Sequence, residues 1–395
     1  MRNMVSRRYF DMAAMMSHAE QATGLSDWGD DDFREPLKIL LSALNEEAKL
    51  EAQGWARTKH HLDNVLAYRL RIFDDRKRYP GIGRQEIKQP LFITGLPRAG
   101  TSYLNAMLAC DPGNIAPRHW QMWCPSPPAN DPSIDHSAQI ERAREMMALE
   151  GWQDPELRRK HAYDPMQAEE DLHIHEFSFI TTAFGFFWDV PSYSAFVWPS
   201  DHGPAYRIEK LVLQSMQYGT QNRQWILKTP DHLSQLESLL GVFPDARIVI
   251  NHRDPSKVLS STISLLAAHR MQFGNRPVGD ARAFAAGLVE ALAASMERLI
   301  ELRSDPRMNA HFLDVNYLEL ERAPMEQVER IYAAFGMTFD STTRDELRRY
   351  VAENRKGKFG AHRYTLAETG LNREEIYERF SSYMDHFDLA EEPAG

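Results

Sequence analysis

Gln89-Pro-Leu-Phe-Ile-Thr-Gly95-Leu-Pro-Arg-Ala-Gly100-Thr101-Ser102 is the stretch that decides the fold. Its apolar part, bounded by Pro90 and Gly95, reads as a short buried strand. Residues 95–102 then follow the frame of a phosphate-binding loop, with Thr101 in the slot where a nucleoside triphosphatase carries the lysine that reaches the β- and γ-phosphates. The cation stands inside the loop instead, at Arg98. Leu104, Met107 and Leu108 continue at helical spacing until Asp111-Pro-Gly113 punctuates the end. Strand, glycine-rich turn and helix form the context in which backbone N–H groups and a helix N-terminus hold a phosphate. Without the lysine, such a loop suits a nucleotide whose 5′-phosphate carries something other than a phosphate chain.

Working outward, the same arrangement recurs twice. Gln224-Trp-Ile-Leu227 reads as a strand, and Lys228-Thr-Pro-Asp-His232 leads to Leu233, Leu236 and Leu240 at helical spacing. Thr229 is placed as the N-cap and Pro230 as the first helical residue. Ala246–Ile250 is a further strand, followed by Arg253 with Asp254 as N-cap and Pro255 in the first turn. In an open parallel sheet such turns gather at the carboxyl ends of the strands, so Arg98, Lys228 and Arg253 are expected together on one ligand-binding edge. In a chain of net charge −10 they form a local anion pocket, while the acidic balance argues against a nucleic-acid binder.

The remainder organises around this core. Residues 1–88 read as a helical, peripheral extension, 89–340 as the α/β core, and 341–395 as a lid and charged helical tail. Helices are expected over 282–303 and 324–335, and a strand over 311–317. The Asp30–Asp32 run reads as a solvated helix start. The aromatic residues between Phe177 and Trp198 read first as core, and second as the wall of a pocket for an apolar acceptor. Cys110 and Cys124 show no metal-type spacing and exclude a disulfide framework. No apolar run approaches the ~18 residues of a membrane span, and no apolar segment follows the basic N-terminus. A soluble cytoplasmic protein is expected.

Taken in order, these segments resemble the sulfotransferases that use 3′-phosphoadenosine 5′-phosphosulfate (PAPS), of the bacterial type with a P-loop-like fold. The likeness runs over about residues 90–380. It implies an α/β fold, a parallel sheet flanked by helices, with helical elaborations at both ends. It further implies that Arg98, Ala99, Gly100, Thr101 and Ser102 hold the 5′-phosphosulfate. Arg253 and Ser261 match the pair on the 3′-phosphate, and Arg355-Lys356-Gly357 with Gly360 resembles the segment that closes over it. Leu227-Lys228-Thr229 matches a lysine-bearing segment near the reacting sulfate, and Val315-Asn-Tyr317 the strand before the last core helix. One departure is plain: Trp120 is followed by Gln121, where relatives would carry a carboxylate as candidate base.

Sulfuryl transfer through a loose, in-line transition state asks mainly for positioning and positive charge. Arg98 and Lys228 are placed to stabilise the oxygen that leaves with the 5′-phosphate, so no divalent metal is required. The base must take a proton from a hydroxyl or amine of the acceptor, a small molecule or lipid. His232 is the first candidate, expected to be kept neutral by a helix N-terminus, with His119 and Glu170 behind it. His173 and His175 on one strand face are a weaker candidate for a metal pair. Residues 350–365, with Gly357, Gly360 and several cations, read as a mobile lid. A homodimer is a further expectation. The alternatives are an ATP-dependent small-molecule kinase, which the missing lysine disfavours, and a non-catalytic nucleotide-binding module.

Overall fold

The computed structural model describes residues 9–160, 163–220, 223–274, 278, 280–354 and 370–393. The strands β1 (Leu91–Gly95), β2 (Asn114–Ile115), β3 (Gln224–Lys228), β4 (Arg247–His252) and β5 (Phe312–Asn316) form a sheet in the order β2-β3-β1-β4-β5. All pairs are parallel, and helices cover both faces. A strand buried on both faces must be apolar throughout, which is why β1 shows no alternation of polar and apolar residues. Its side chains still part by the period of two. Leu91 and Ile93 pack with Leu104, Met107 and Val249 on one face. Phe92 packs with Ile248 and Ile250 on the other.

Register sets the functional edge. Ile93 of β1 lies level with Lys228 of β3, and Gly95 lies level with Asn251 of β4. The chain leaves β1 between two neighbours that are reached by separate crossovers, so the loop after it opens into the crevice where such sheets bind ligands.

The expected long helices appear at Ala281–Leu302 and Pro324–Ala334. Thr229 does cap, accepting from the Asp231 N–H at 3.3 Å, but the following residues 230–234 form a 3₁₀ turn before the Leu236–Val242 helix begins. The N-terminal helices are not peripheral. Leu37, Leu40, Leu62, Leu66 and Leu70 are fully buried in the same hydrophobic cluster as Phe92 and Ile248. The Ala52–Arg78 helix approaches the Pro255–Gly274 helix so closely that a Cβ on Gly54 would fall 2.7 Å from the Gly274 carbonyl oxygen. The acidic run is neutralised by arginines from distant segments, Asp30 by Arg69 at 2.9 Å and Asp32 by Arg207 at 2.6 Å.

A buried ion network joins these helices to the middle of the chain. His61 Nδ1 meets Glu150 at 3.0 Å and its Nε2 meets Glu176 at 2.7 Å, while His60 and His173 hold the other oxygens of the two carboxylates. Burial works against a charged imidazole here, but the two carboxylates outweigh it and raise the His61 pKa to about 10. The stabilisation from a raised pKa is complete below the unfolded value of 6.5 and is lost as pH rises through the folded value of about 10. Stability should therefore fall with rising pH across that window, by up to about 1.4 kcal/mol per pH unit from this one group. Chemical denaturation at stepped pH should show the slope in the natural protein and a flatter one in His61→Gln. Parallel slopes would remove His61 as the cause.

Candidate active site

The loop after β1 is shaped by close approaches and positive backbone angles. Gly95 has φ 137 and passes so near β4 that a Cβ would lie 2.2 Å from the Asn251 carbonyl oxygen. Gly100 has φ 85 and lies against the Tyr317 ring, 2.9 Å from where its Cβ would stand. Between them Arg98 adopts φ 65, a conformation that L side chains rarely take. Residues of β4 and the turn after it keep it there. Arg253 Nη1 donates to the Arg98 carbonyl at 3.0 Å, and Asn251 Nδ2 donates to the Ala99 carbonyl at 3.1 Å. The Thr101–Leu108 helix then starts with no side-chain cap, so its first N–H groups remain available to an anion.

This loop borders a cavity of about 1020 Å³. Arg98, Gly100, Thr101, Ser102, Arg253 and Ser261 all line it, so the structure brings together these residues picked out from the sequence. Ala99 is buried beneath the loop and contributes through its carbonyl. Arg355, Lys356 and Gly357, and the expected lid from residue 355 onward, lie outside the described residues. The opposite wall is apolar, with Phe186, Phe187, Trp198, Leu265, Leu266 and Leu292. The aromatic segment thus serves both readings: Phe179, Phe184, Trp188 and Tyr193 are core, whereas Phe186, Phe187 and Trp198 reach the cavity.

Lys228, the last residue of β3, is almost entirely buried at 1% exposure. Its Nζ donates to Ser102 Oγ at 3.1 Å and to Glu170 Oε1 at 2.8 Å, with Glu169 Oε1 at 3.8 Å. It does not itself line the cavity, but it ties the phosphate-type loop to the acidic segment. Arg253 stacks on Tyr317, 3.8 Å from the ring centroid. Its Nε and Nη2 form a two-pronged pair with Glu392 at 2.8 and 3.1 Å. Tyr317, at the end of the segment matched from the sequence, also lines the cavity, whereas Glu392 and the cavity-lining Lys257 carried no local signal that ties them to this edge.

The three candidate bases are placed very differently. His232 is fully buried and does not line the cavity. Its Nε2 meets Asp171 Oδ2 at 3.1 Å and its Nδ1 meets the Tyr206 hydroxyl at 2.9 Å. Burial disfavours its charged form, yet the Asp171 carboxylate outweighs this and raises the pKa, opposite to the expectation of a histidine held neutral. The reason is the 3₁₀ turn. With three residues per turn, Asp231 and Ser234 face the cavity while His232 points behind it. His119 is also buried, packed edge-on against Trp123 at 4.5 Å and stacked on His173 at 5.0 Å. Glu170 alone of the three lines the cavity, and it lies against the Lys228 ammonium. His173 and His175 sit on a short helix rather than a strand, bonded to Glu176 and Glu209. Among the described residues no group of three or more His, Cys, Asp or Glu side chains is arranged to hold a metal ion.

The sequence matches the sulfotransferase family over residues 90–341 of the 395-residue chain, and the protein belongs to that family. It is 24% identical over 316 residues, 74% of each chain, to the omega-hydroxy-beta-dihydromenaquinone-9 sulfotransferase Stf3 of Mycobacterium bovis. Its structure is similar to the crystal structure of sulfotransferase STF9 from Mycobacterium avium, with a TM-score of 0.86, 26% identity and coverage of 97% of this chain and 98% of the other. It is likewise similar to sulfotransferase STF1 from Mycobacterium tuberculosis, with a TM-score of 0.80, 27% identity and coverage of 95% and 100%. The protein is thus an enzyme of sulfuryl transfer, on a P-loop-like α/β fold.

The placement of His232 has a direct consequence. His232→Gln should lower stability by about 1–3 kcal/mol, the usual cost of leaving buried partners unsatisfied. It should leave the acidic limb of the pH–rate profile where it was. Denaturant melts and a pH series of initial rates check both points. Loss of that limb in a fully folded variant would return His232 to the chemistry.

Proposed function

We propose that the protein moves the sulfuryl group of PAPS to a hydroxyl or amine of an apolar, lipid-like acceptor. The observation that carries this reading is the position of Lys228, bonded at once to Ser102 of the loop and to Glu170 across the cavity. The positive loop, the uncapped helix start and Arg253 support a nucleotide carrying phosphate at both ends of its ribose. The apolar wall supports a hydrophobic acceptor, as does the relative named for a menaquinone derivative. No helix of the described residues is long and apolar enough to cross a membrane.

In this reading the acceptor oxygen forms a bond to sulfur as the bond between sulfur and the bridging oxygen breaks. The electron pair stays with the 5′-phosphate, and the acceptor proton passes to the Glu170 carboxylate. Arg98 lies in the loop and acts on the bound nucleotide as well as on the leaving oxygen. Lys228 acts mainly on charge that grows as the bond breaks, which lowers the barrier without tightening ground-state binding.

Single-turnover transfer from labelled PAPS to a long-chain quinol or alcohol, beside equilibrium binding of adenosine 3′,5′-bisphosphate, tests these assignments. Lys228→Ala should lose about a hundredfold or more in rate with little change in nucleotide affinity, and Arg98→Ala should lose both. Glu170→Gln should lose rate and the acidic limb of the pH profile. A near-normal rate in Lys228→Ala would remove that residue from the reaction.

A further inference from the structure

Asp231 is an acid on the cavity wall that the proposed reaction does not use. It follows Lys228 on the 3₁₀ turn at 230–234, and its position is fixed from several directions. Its N–H donates to Thr229 Oγ1 at 3.3 Å and its carbonyl accepts from Ser234 Oγ at 3.0 Å. Its Oδ2 accepts a short hydrogen bond from the Thr182 hydroxyl. Oδ1 makes no hydrogen bond among the described residues.

The acids around the cavity are not equivalent. Glu170 and Glu169 have the Lys228 ammonium at 2.8 and 3.8 Å. Asp231 has no lysine or arginine within ion-pair distance among the described residues; its partner is a hydroxyl. Burial raises the pKa of Asp231, while the Thr182 hydroxyl and the His175 and His232 imidazoles act in the opposite direction and favour the carboxylate. Apolar groups stand beside these polar ones. The turn packs against the Ala281–Leu302 helix, whose Leu288 and Leu292 line the cavity, and Thr182 immediately precedes the helix that carries Phe186 and Phe187.

We infer that Asp231 is a specificity residue that reads the head group of the acceptor. Beside Leu288 and Leu292, its carboxylate admits a head that donates hydrogen bonds or carries positive charge, a hydroxyl or an amine, and excludes an anionic head. An ionised carboxylate can only accept hydrogen bonds, and a second negative charge beside it is repelled. The inference rests on the reading of this cavity as the place of sulfuryl transfer, and it assigns to one side chain the choice of a neutral or cationic donor head over an anionic one.

Decylamine, decan-1-ol and decanoate, matched in chain length, can be titrated calorimetrically at fixed pH into the full chain, with and without saturating adenosine 3′,5′-bisphosphate. The natural protein should bind the amine about tenfold or more tightly than decanoate, with the alcohol between them. Asp231→Asn, which keeps shape and removes charge, should shrink that gap to a few-fold while leaving bisphosphate affinity unchanged. Thr182→Val, which releases Oδ2, should narrow it as well, and thermal melts decide which variant is folded enough to be read. Equal affinity for amine and carboxylate in the natural protein, an unchanged gap in Asp231→Asn, or no binding of any probe overturns the inference. Failure of the bisphosphate to bind while the amine preference stands would support Asp231 and count against the nucleotide reading instead.

Discussion

A lysine ammonium buried at the end of a central strand is the constraint on which this site depends. An unpaired charge at the depth of Lys228 would cost several kcal/mol, and it is tolerated only where partners surround it. Those partners come from two places that the chain must bring together, Ser102 at the start of the first core helix and the Glu169–Glu170 pair. Satisfying the lysine therefore fixes the distance between the phosphate-type loop and the acidic wall. In the function proposed above, the same buried contact that the fold requires supplies the cation for the leaving oxygen.

The acidic segment shows how finely this is divided. Three successive carboxylates go three ways: Glu169 stays buried beside the lysine, Glu170 reaches it from the cavity wall, and Asp171 turns inward to His232. The inward branch continues through Tyr206, while His175 binds the carboxylate of Glu209 alongside it. Burial pulls the pKa of Asp171 upward, but the His232 imidazole against it prevails and holds it below the usual carboxylate value. The histidine thereby pairs with a buried carboxylate behind the turn. Through Asp171 and Tyr206 it anchors the turn at 230–234, which follows Lys228 and carries Asp231.

Much of the fold could be read from local sequence because the information was local. A strand bounded by Pro90 and Gly95, a loop with glycines at fixed offsets, and Thr-Pro and Asp-Pro helix starts each carry their own physical signal. Arg98, Lys228 and Arg253 could be placed on one edge because parallel topology alone puts them there. What could not be read depended on contacts far apart in sequence. Glu392 meets Arg253 across 139 residues, and the core position of the N-terminal helices depends on partners such as Gly274. His232 escaped for a different reason. A Thr-Pro start does not say whether an α-helix or a 3₁₀ turn follows, and that choice decides which way the third residue points.

The central claim is that this sheet edge is built for a nucleotide bearing a 3′-phosphate, with Arg253 as the residue that reads it. Equilibrium binding of adenosine 3′,5′-bisphosphate and of 5′-AMP to the natural protein and to Arg253→Ala tests this most directly. The account predicts that the substitution weakens the bisphosphate by about tenfold or more, the scale of a lost charge-assisted bond, and leaves 5′-AMP nearly untouched. Equal losses for the two nucleotides would contradict it.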